Sequence, residues 1–163
     1  MISAAIALVS LLLLFMITNR LSYGLLKNRI LRMRKWGLNI CCGKTDGGGI
    51  NADIVRHSQV PNFVLLSDIY ALPFADNSFA DVLCSHTIEH LEDPRRFYRE
   101  LQRVGREVML VVPPLWDLSA AFNVLEHRWL FLTVRKRHTK LPPFVRLPLA
   151  ATVQQLLGQR FHA

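Results

Sequence analysis

A chain of 163 residues can bury one core but not two large ones. Its three cysteines, two of them adjacent, exclude a disulfide framework. No repeat or low-complexity tract is present, but hydrophobic residues reach 51%, the formal charge is +8 and the pI is near 10.0, and neither excess is evenly spread.

The apolar excess comes first. "ISAAIALVSLLLLFMI" (residues 2–17) carries no charge and predicts a membrane-crossing helix at the short end of the usual length, with Thr18 and Asn19 at the interface. A secretory signal would carry basic residues before the run and a small-x-small site after it, and neither is present. The uncleaved anchor is therefore assigned to residues 1–19. In the basic juxtamembrane linker, residues 20–35, the charges Arg20, Lys27, Arg29, Arg32, Arg34 and Lys35 are mixed with apolar residues at helical spacing. That pattern predicts a helix lying on anionic lipid headgroups, and the flanking cations place the rest of the chain on the cytoplasmic side of a single-pass protein. Beside an anchor, phospholipid is a simpler partner than nucleic acid.

From Trp36 the chain changes to short apolar runs between turns. "LNICC" (38–42), "INADIV" (50–55), "FVLLS" (63–67), "FADVLCS" (79–85) and "EVMLVVP" (107–113) read as strands covered on both faces. "TIEHLEDPRRFYRELQRV" between the last two reads as a helix interrupted near Pro94 and stopped at Gly105. Strand, helix, strand implies a parallel crossover, hence an α/β domain. Ligands of such sheets bind at the carboxyl ends of the strands. There the first strand offers the glycine-rich "CCGKTDGGG", the second ends at Asp53, and the third is followed by Asp68. Together these form a nucleoside pocket.

The strings "LNICCG", "INADI", "SDIYALPFADNSFADVLCSHTIEHLEDP" and "RELQRV" resemble the class I S-adenosylmethionine-dependent methyltransferases of the type 11 group, from about Leu38 to Pro114. The resemblance implies a Rossmann-like, mostly parallel sheet of about five strands with few helices, a cofactor-binding core over residues 36–114, and S-adenosyl-L-methionine as cofactor. It implies Cys41 and Gly43 at the methionine portion, Asp53 at the ribose, Asp68 with Ile69 at the adenine, and Ser85 with His86 beside the sulfonium. His86 and His127 are the candidate catalytic side chains. Four departures stand out: Asn39 replaces the usual acid of the first strand, Cys41 replaces the first glycine, the first two crossovers are too short for helices, and no closing strand pair is visible after Pro114. The chain is a reduced variant by this reading, and a non-catalytic cofactor-binding or scaffold protein is the alternative.

His86, Glu89 and His90 also spell H-x-x-E-H, the inverted zincin motif. A zinc peptidase needs both histidines on one helix and a third ligand, for which Glu100, Glu107 and Glu126 are equal candidates. No metal is expected; by the resemblance Glu89 and His90 belong to the scaffold and pocket wall. An NAD-binding oxidoreductase is disfavoured because G-x-G-x-x-G is missing. In the C-terminal region, residues 115–163, basic residues alternate with apolar clusters. This is either a solvated basic surface or a second membrane contact through Trp129, Leu130, Phe131 and Phe144. Anchoring favours a small amphiphilic, membrane-resident acceptor, because tethering raises its effective concentration.

Overall fold

The computed structural model describes residues 2–159, with side chains from residue 6; Met1 of the expected anchor and residues 160–163 of the C-terminal region lie outside them. Helix α1 (Ile2–Asn19) continues through a π-helical segment (Arg20–Lys27) into α2 (Asn28–Leu31). Over Ile6–Leu31 this is the one helix among the described residues long and apolar enough to cross a membrane. Length and composition alone also describe a core helix or a signal sequence, but Leu8, Val9, Leu12, Met16 and Ile17 are all exposed.

The expected lipid-lying linker is corrected in part. It is helical, but one face is packed onto the body: Ser22, Ile30 and Leu31 are buried, the last two against Trp36, Leu83 and Val111. Trp36 belongs to the sheet and donates its indole N–H to Leu31 O at 3.1 Å. Arg34 faces Asp81 and Glu107, each at 3.4 Å, and lies over the Trp36 ring.

Six strands form the main sheet: β1 (Trp36–Ile40), β2 (Gly48–Asp53), β3 (Phe63–Leu65), β4 (Phe79–Ser85), β5 (Gly105–Val111) and β7 (Arg137–His138). Their order is β3-β2-β1-β4-β5-β7, parallel except for β7 against β5. All five expected strands are present, and part of the closing pair is too. Two residues are enough for β7, too few to leave a hydrophobic pattern. A separate antiparallel pair joins β6 (Trp129–Phe131) to β8 (Phe144–Arg146).

The centre of the sheet is dry because its strands are covered twice. Leu38, Ile40, Val82 and Cys84 pack with α3 (Pro94–Val104), whose Phe97, Leu101 and Val104 are fully buried. The expected helix splits at its proline. A 3-10 turn (Ile88–His90) comes first, Leu91 is extended, and α3 then starts with Asp93 accepting the Arg96 N–H at 2.9 Å. Pro94 disfavours helical backbone at the residue before it, which forces the break. Leu130 and Phe131 are also buried, and Trp129 packs against Phe144 and donates to Leu91 O at 2.8 Å. Of the four residues offered for a second membrane contact, Leu130 and Phe131 are therefore buried in the protein, while Trp129 and Phe144 are only partly buried beside them. Two helices complete the C-terminal region, α4 (Leu118–Ala121) and α5 (Ala150–Leu157).

A buried amide network replaces the missing first crossover helix. Asn39 Nδ2 donates to Thr45 O and to Asn51 Oδ1, both at 3.0 Å, and Gly47 N–H donates to the same Asn51 oxygen at 2.9 Å. Asn51 Nδ2 donates in turn to Asp46 Oδ1 and Pro61 O. A loop pressed on a sheet leaves backbone polar groups in need of partners, and two fully buried asparagines supply them. The close approach also requires Gly49, where a Cβ would sit 2.3 Å from Trp36 O.

Candidate functional site

Strand order sets the line of candidate residues. At the carboxyl edge, Asp68 follows β3, Asp53 ends β2, Cys41 and Gly43 follow β1, and Ser85 and His86 close β4. Adjacent strands are about 4.8 Å apart, so the row from β3 to β4 spans roughly 14 Å. Cys41 and His86 both take left-handed backbone, φ 51° and 54°. Such conformations cost free energy in side-chain-bearing residues and persist where the surroundings impose them.

Gly43 N–H donates to Asp53 Oδ2 and Ile54 N–H donates to Oδ1, each at 2.8 Å. The loop after β1 is thereby tied to the end of β2. Each carboxylate oxygen retains a second acceptor site. A Cβ on Gly43, whose φ is +55°, would meet nothing within 4 Å, so open space lies beside the loop. Ser85 Oγ is buried without a hydrogen-bond partner. Asp68 accepts the Tyr70 N–H at 2.7 Å, and Ile69 packs on the main core. These features fit S-adenosylmethionine: two acceptors for a diol, an uncrowded glycine loop, and an unmatched hydroxyl at the neighbouring strand end.

The far end of the row is roofed by the helix that precedes the sheet. Lys136 Nζ donates to Ser22 Oγ at 2.7 Å and to His86 Nε2 at 2.6 Å, and Tyr23 stands edge-on to His86 with ring centroids 5.0 Å apart. His86 Nδ1 lies 3.2 Å from Glu89 Oε1. Burial pushes the His86 imidazole down to about 4, although Glu89 opposes this, so at neutral pH the ring is uncharged, with Nδ1 towards Glu89 and Nε2 accepting from Lys136. Burial also lowers the Lys136 ammonium to about 8. Lys136 was missed in the sequence, where it sits within "RKRH" and reads as one more solvated cation.

All three cysteines are free. Burial raises each thiol, Cys42 to about 11, so none is a ready thiolate near neutral pH. His127 does not join the row. It is buried beside Glu89 and His90, its ring centroid 4.7 Å from that of His90. The H-x-x-E-H residues are not on one helix either, since His86 is left-handed and His90 ends the 3-10 turn.

A cavity of about 670 Å³ lies elsewhere, against Met109, Leu132, Arg135, Arg137, His138 and Lys140. Acceptors and an unmatched donor converge instead at the strand-end row.

Residues 38–108 match the family model of a methyltransferase domain, a span running from β1 into β5. The match implies S-adenosylmethionine as the cofactor. No curated protein matches the chain. Among solved structures, a protein of Pyrococcus horikoshii is 19% identical at a TM-score of 0.47, covering 86% of this chain and 79% of its own. An S-adenosylmethionine-dependent methyltransferase of Aquifex aeolicus is 19% identical at a TM-score of 0.42, covering 57% of this chain and 65% of its own. A Bacillus halodurans protein is 21% identical at a TM-score of 0.41, covering 52% of this chain; the chain spans only 48% of its length.

Proposed function

We propose, with the methyltransferase-domain match over residues 38–108 as premise, that this chain is an S-adenosylmethionine-dependent methyltransferase working at a membrane surface on an amphiphilic acceptor. The observation that carries the reading is the tie between Gly43 and Asp53 beside open space. It holds a glycine loop and an acid in the relation that a nucleoside with a charged tail requires.

The bound sulfonium supplies a methyl group that is already activated. The protein's part is mainly to hold an acceptor in line, so no catalytic dyad is needed. Asp53 takes the ribose diol, Asp68 and Ile69 flank the base, and Cys41, Gly43 and Ser85 line the methionine end. Neutral His86 is positioned by Glu89 and Lys136 rather than free to take a proton. An acceptor that loses a proton on methylation therefore needs that network to rearrange or a base of its own.

The membrane reading rests on the exposed apolar face of α1 and the cations that follow it. The 670 Å³ cavity lies beside the same segment, for Arg137 Nη1 reaches Met33 Sδ at 3.5 Å. Its Arg135, Arg137 and Lys140 suit an anionic headgroup. The orientation places the sheet in the cytoplasm, and a reporter active only outside the cytoplasm, fused after Ala163, should stay silent.

A second reading is favoured by one observation. Ser22, Tyr23 and Lys136 occupy the approach to His86, as in a cofactor-binding protein without turnover. Calorimetry of the full chain in detergent should show binding of S-adenosylmethionine and its demethylated product but not NAD. Labelled methyl groups should then appear in extracted lipid. Cofactor binding without transfer to any extract selects the scaffold reading, and NAD binding alone ends both.

A further inference from the structure

Behind His86 lies a second group of side chains that methyl transfer does not use. Ligand atoms of Glu89, His90 and His127 all lie within 4.8 Å of one another. Glu89 is fully buried, and neither of its oxygens has a hydrogen-bond partner of good geometry; the nearest cation-capable atom is His86 Nδ1, 3.2 Å from Oε1. His127 is 5% exposed and its Nδ1 is buried without a partner. A carboxylate and an imidazole nitrogen left so in a dry interior are costly unless something compensates them.

We propose that Glu89, His90 and His127 form a binding site for one divalent transition-metal ion. One carboxylate oxygen and two imidazole nitrogens suit zinc and its first-row neighbours, whereas magnesium and calcium prefer oxygen ligands alone. The orientation of His90 agrees. Its Nδ1 faces Glu126 O at 3.0 Å, so Nδ1 carries the proton and Nε2 the lone pair. The backbone around the ligands is pinned: Arg128 N–H donates to Glu89 O at 2.8 Å, Gln154 Nε2 to His127 O at 2.9 Å, and Gln159 Nε2 to both His90 O and Glu126 O. Bonds of about 2.1 Å in tetrahedral geometry place ligand atoms roughly 3.4 Å apart, so the side chains would close on the ion from their present spacing of within 4.8 Å. Three protein ligands leave one position for water. His86 stays outside the set, its two nitrogens turned to Glu89 and Lys136. This is therefore neither the peptidase arrangement of H-x-x-E-H nor the metal-free scaffold that the sequence suggests, and it stands whether or not the chain transfers methyl groups.

The test uses the full chain in detergent, carrying no histidine tag, stripped with chelator and titrated with Co(II). Saturation at one equivalent is expected, with the intense visible bands of four- or five-coordinate cobalt and displacement by Zn(II). Glu89→Gln and His127→Gln should each weaken binding by at least about tenfold, whereas His57→Ala, at an exposed histidine, should change nothing. Because either ligand variant could fail to fold, X-ray absorption on the unsubstituted zinc-loaded protein provides a count of imidazole ligands that needs no variant; two are expected. Pale six-coordinate cobalt without saturation, an absorption spectrum showing no imidazole, or loss of binding in His57→Ala would each overturn the proposal.

Discussion

Replacing Asp53 by alanine tests the cofactor row most directly. In the folded protein its oxygens each accept one backbone N–H, from Gly43 and Ile54 at 2.8 Å, which leaves one acceptor site per oxygen for a ribose hydroxyl. A hydrogen bond to a charged group contributes about 1.5–3 kcal/mol. Losing two, with part of the loss recovered by water entering the gap, comes to about 3–4 kcal/mol, or roughly a hundred- to thousandfold in Kd. The Asp53→Asn variant retains one acceptor oxygen but turns an NH2 group towards a backbone donor, so a smaller loss of roughly tenfold or more is expected. Calorimetric titration of the full chain in detergent with S-adenosylmethionine reads both values, and circular dichroism checks that the fold survives losing the Gly43 tie. If Asp53→Ala folds and binds within threefold of the parent, the carboxylate only fastens the loop and the ribose assignment is wrong.

Phe97→Ala, at a fully buried core position, should cost about 3–5 kcal/mol in chemical denaturation, and a loss below 1 kcal/mol would contradict the packing. Deleting residues 1–35 should destabilise the body by about 3–6 kcal/mol, since it removes the buried Ile30 and Leu31, whereas deleting 1–19 should leave it nearly unchanged; equal stability of the two would refute the docked face. The Lys136 ammonium, lowered mainly by burial from 10.5 to about 8, imposes a penalty fully present below pH 8 and relieved as pH rises towards 10.5, because the unfolded chain holds the extra proton in that window. The raised Cys42 thiol, 9.0 to about 11, works in the opposite direction over its own window. The difference in unfolding free energy between parent and Lys136→Met should therefore shift in the parent's favour by up to about 3 kcal/mol across pH 8–10.5, and a flat difference would show that Lys136 is not buried as a cation.

The five parallel strands were legible because each carries a short apolar run, buried at the centre of β1, β4 and β5 although not at the edge strand β3, whose Leu65 is exposed. β6, β7 and β8 were not, since two or three residues carry no period. The strand-end row was legible in its parts, for a glycine turn and acids at strand ends are local signals. The asparagine network was not: Asn39 looked like a departure from an acidic pattern until its partners Thr45 and Asn51 were seen to complete a crossover without a helix. Chain separation hid the roof and the metal cluster. His127 lies far along the chain from Glu89, and nothing local distinguishes it from Glu100, which pairs with Arg103, or Glu107, which faces Arg34. Lys136 was hidden by its neighbours, since a cation in a basic run is normally solvated.

The roof over His86 also imposes an order of events during synthesis. Asn19 meets Asp117 at 3.5 Å and Ser22 meets Lys136, partners separated by 98 and 114 residues. The apolar helix is made before the sheet, yet the side chains that receive its end are made after most of it. The three strands joined by short crossovers are complete well before then and can pair through local contacts alone, the kind that form fastest. Segments fold in the order of their synthesis, so the helix is formed while the strand-end row is still uncovered. Closure over His86 then comes after the central sheet, and it depends on a lysine that emerges once the five parallel strands have been made.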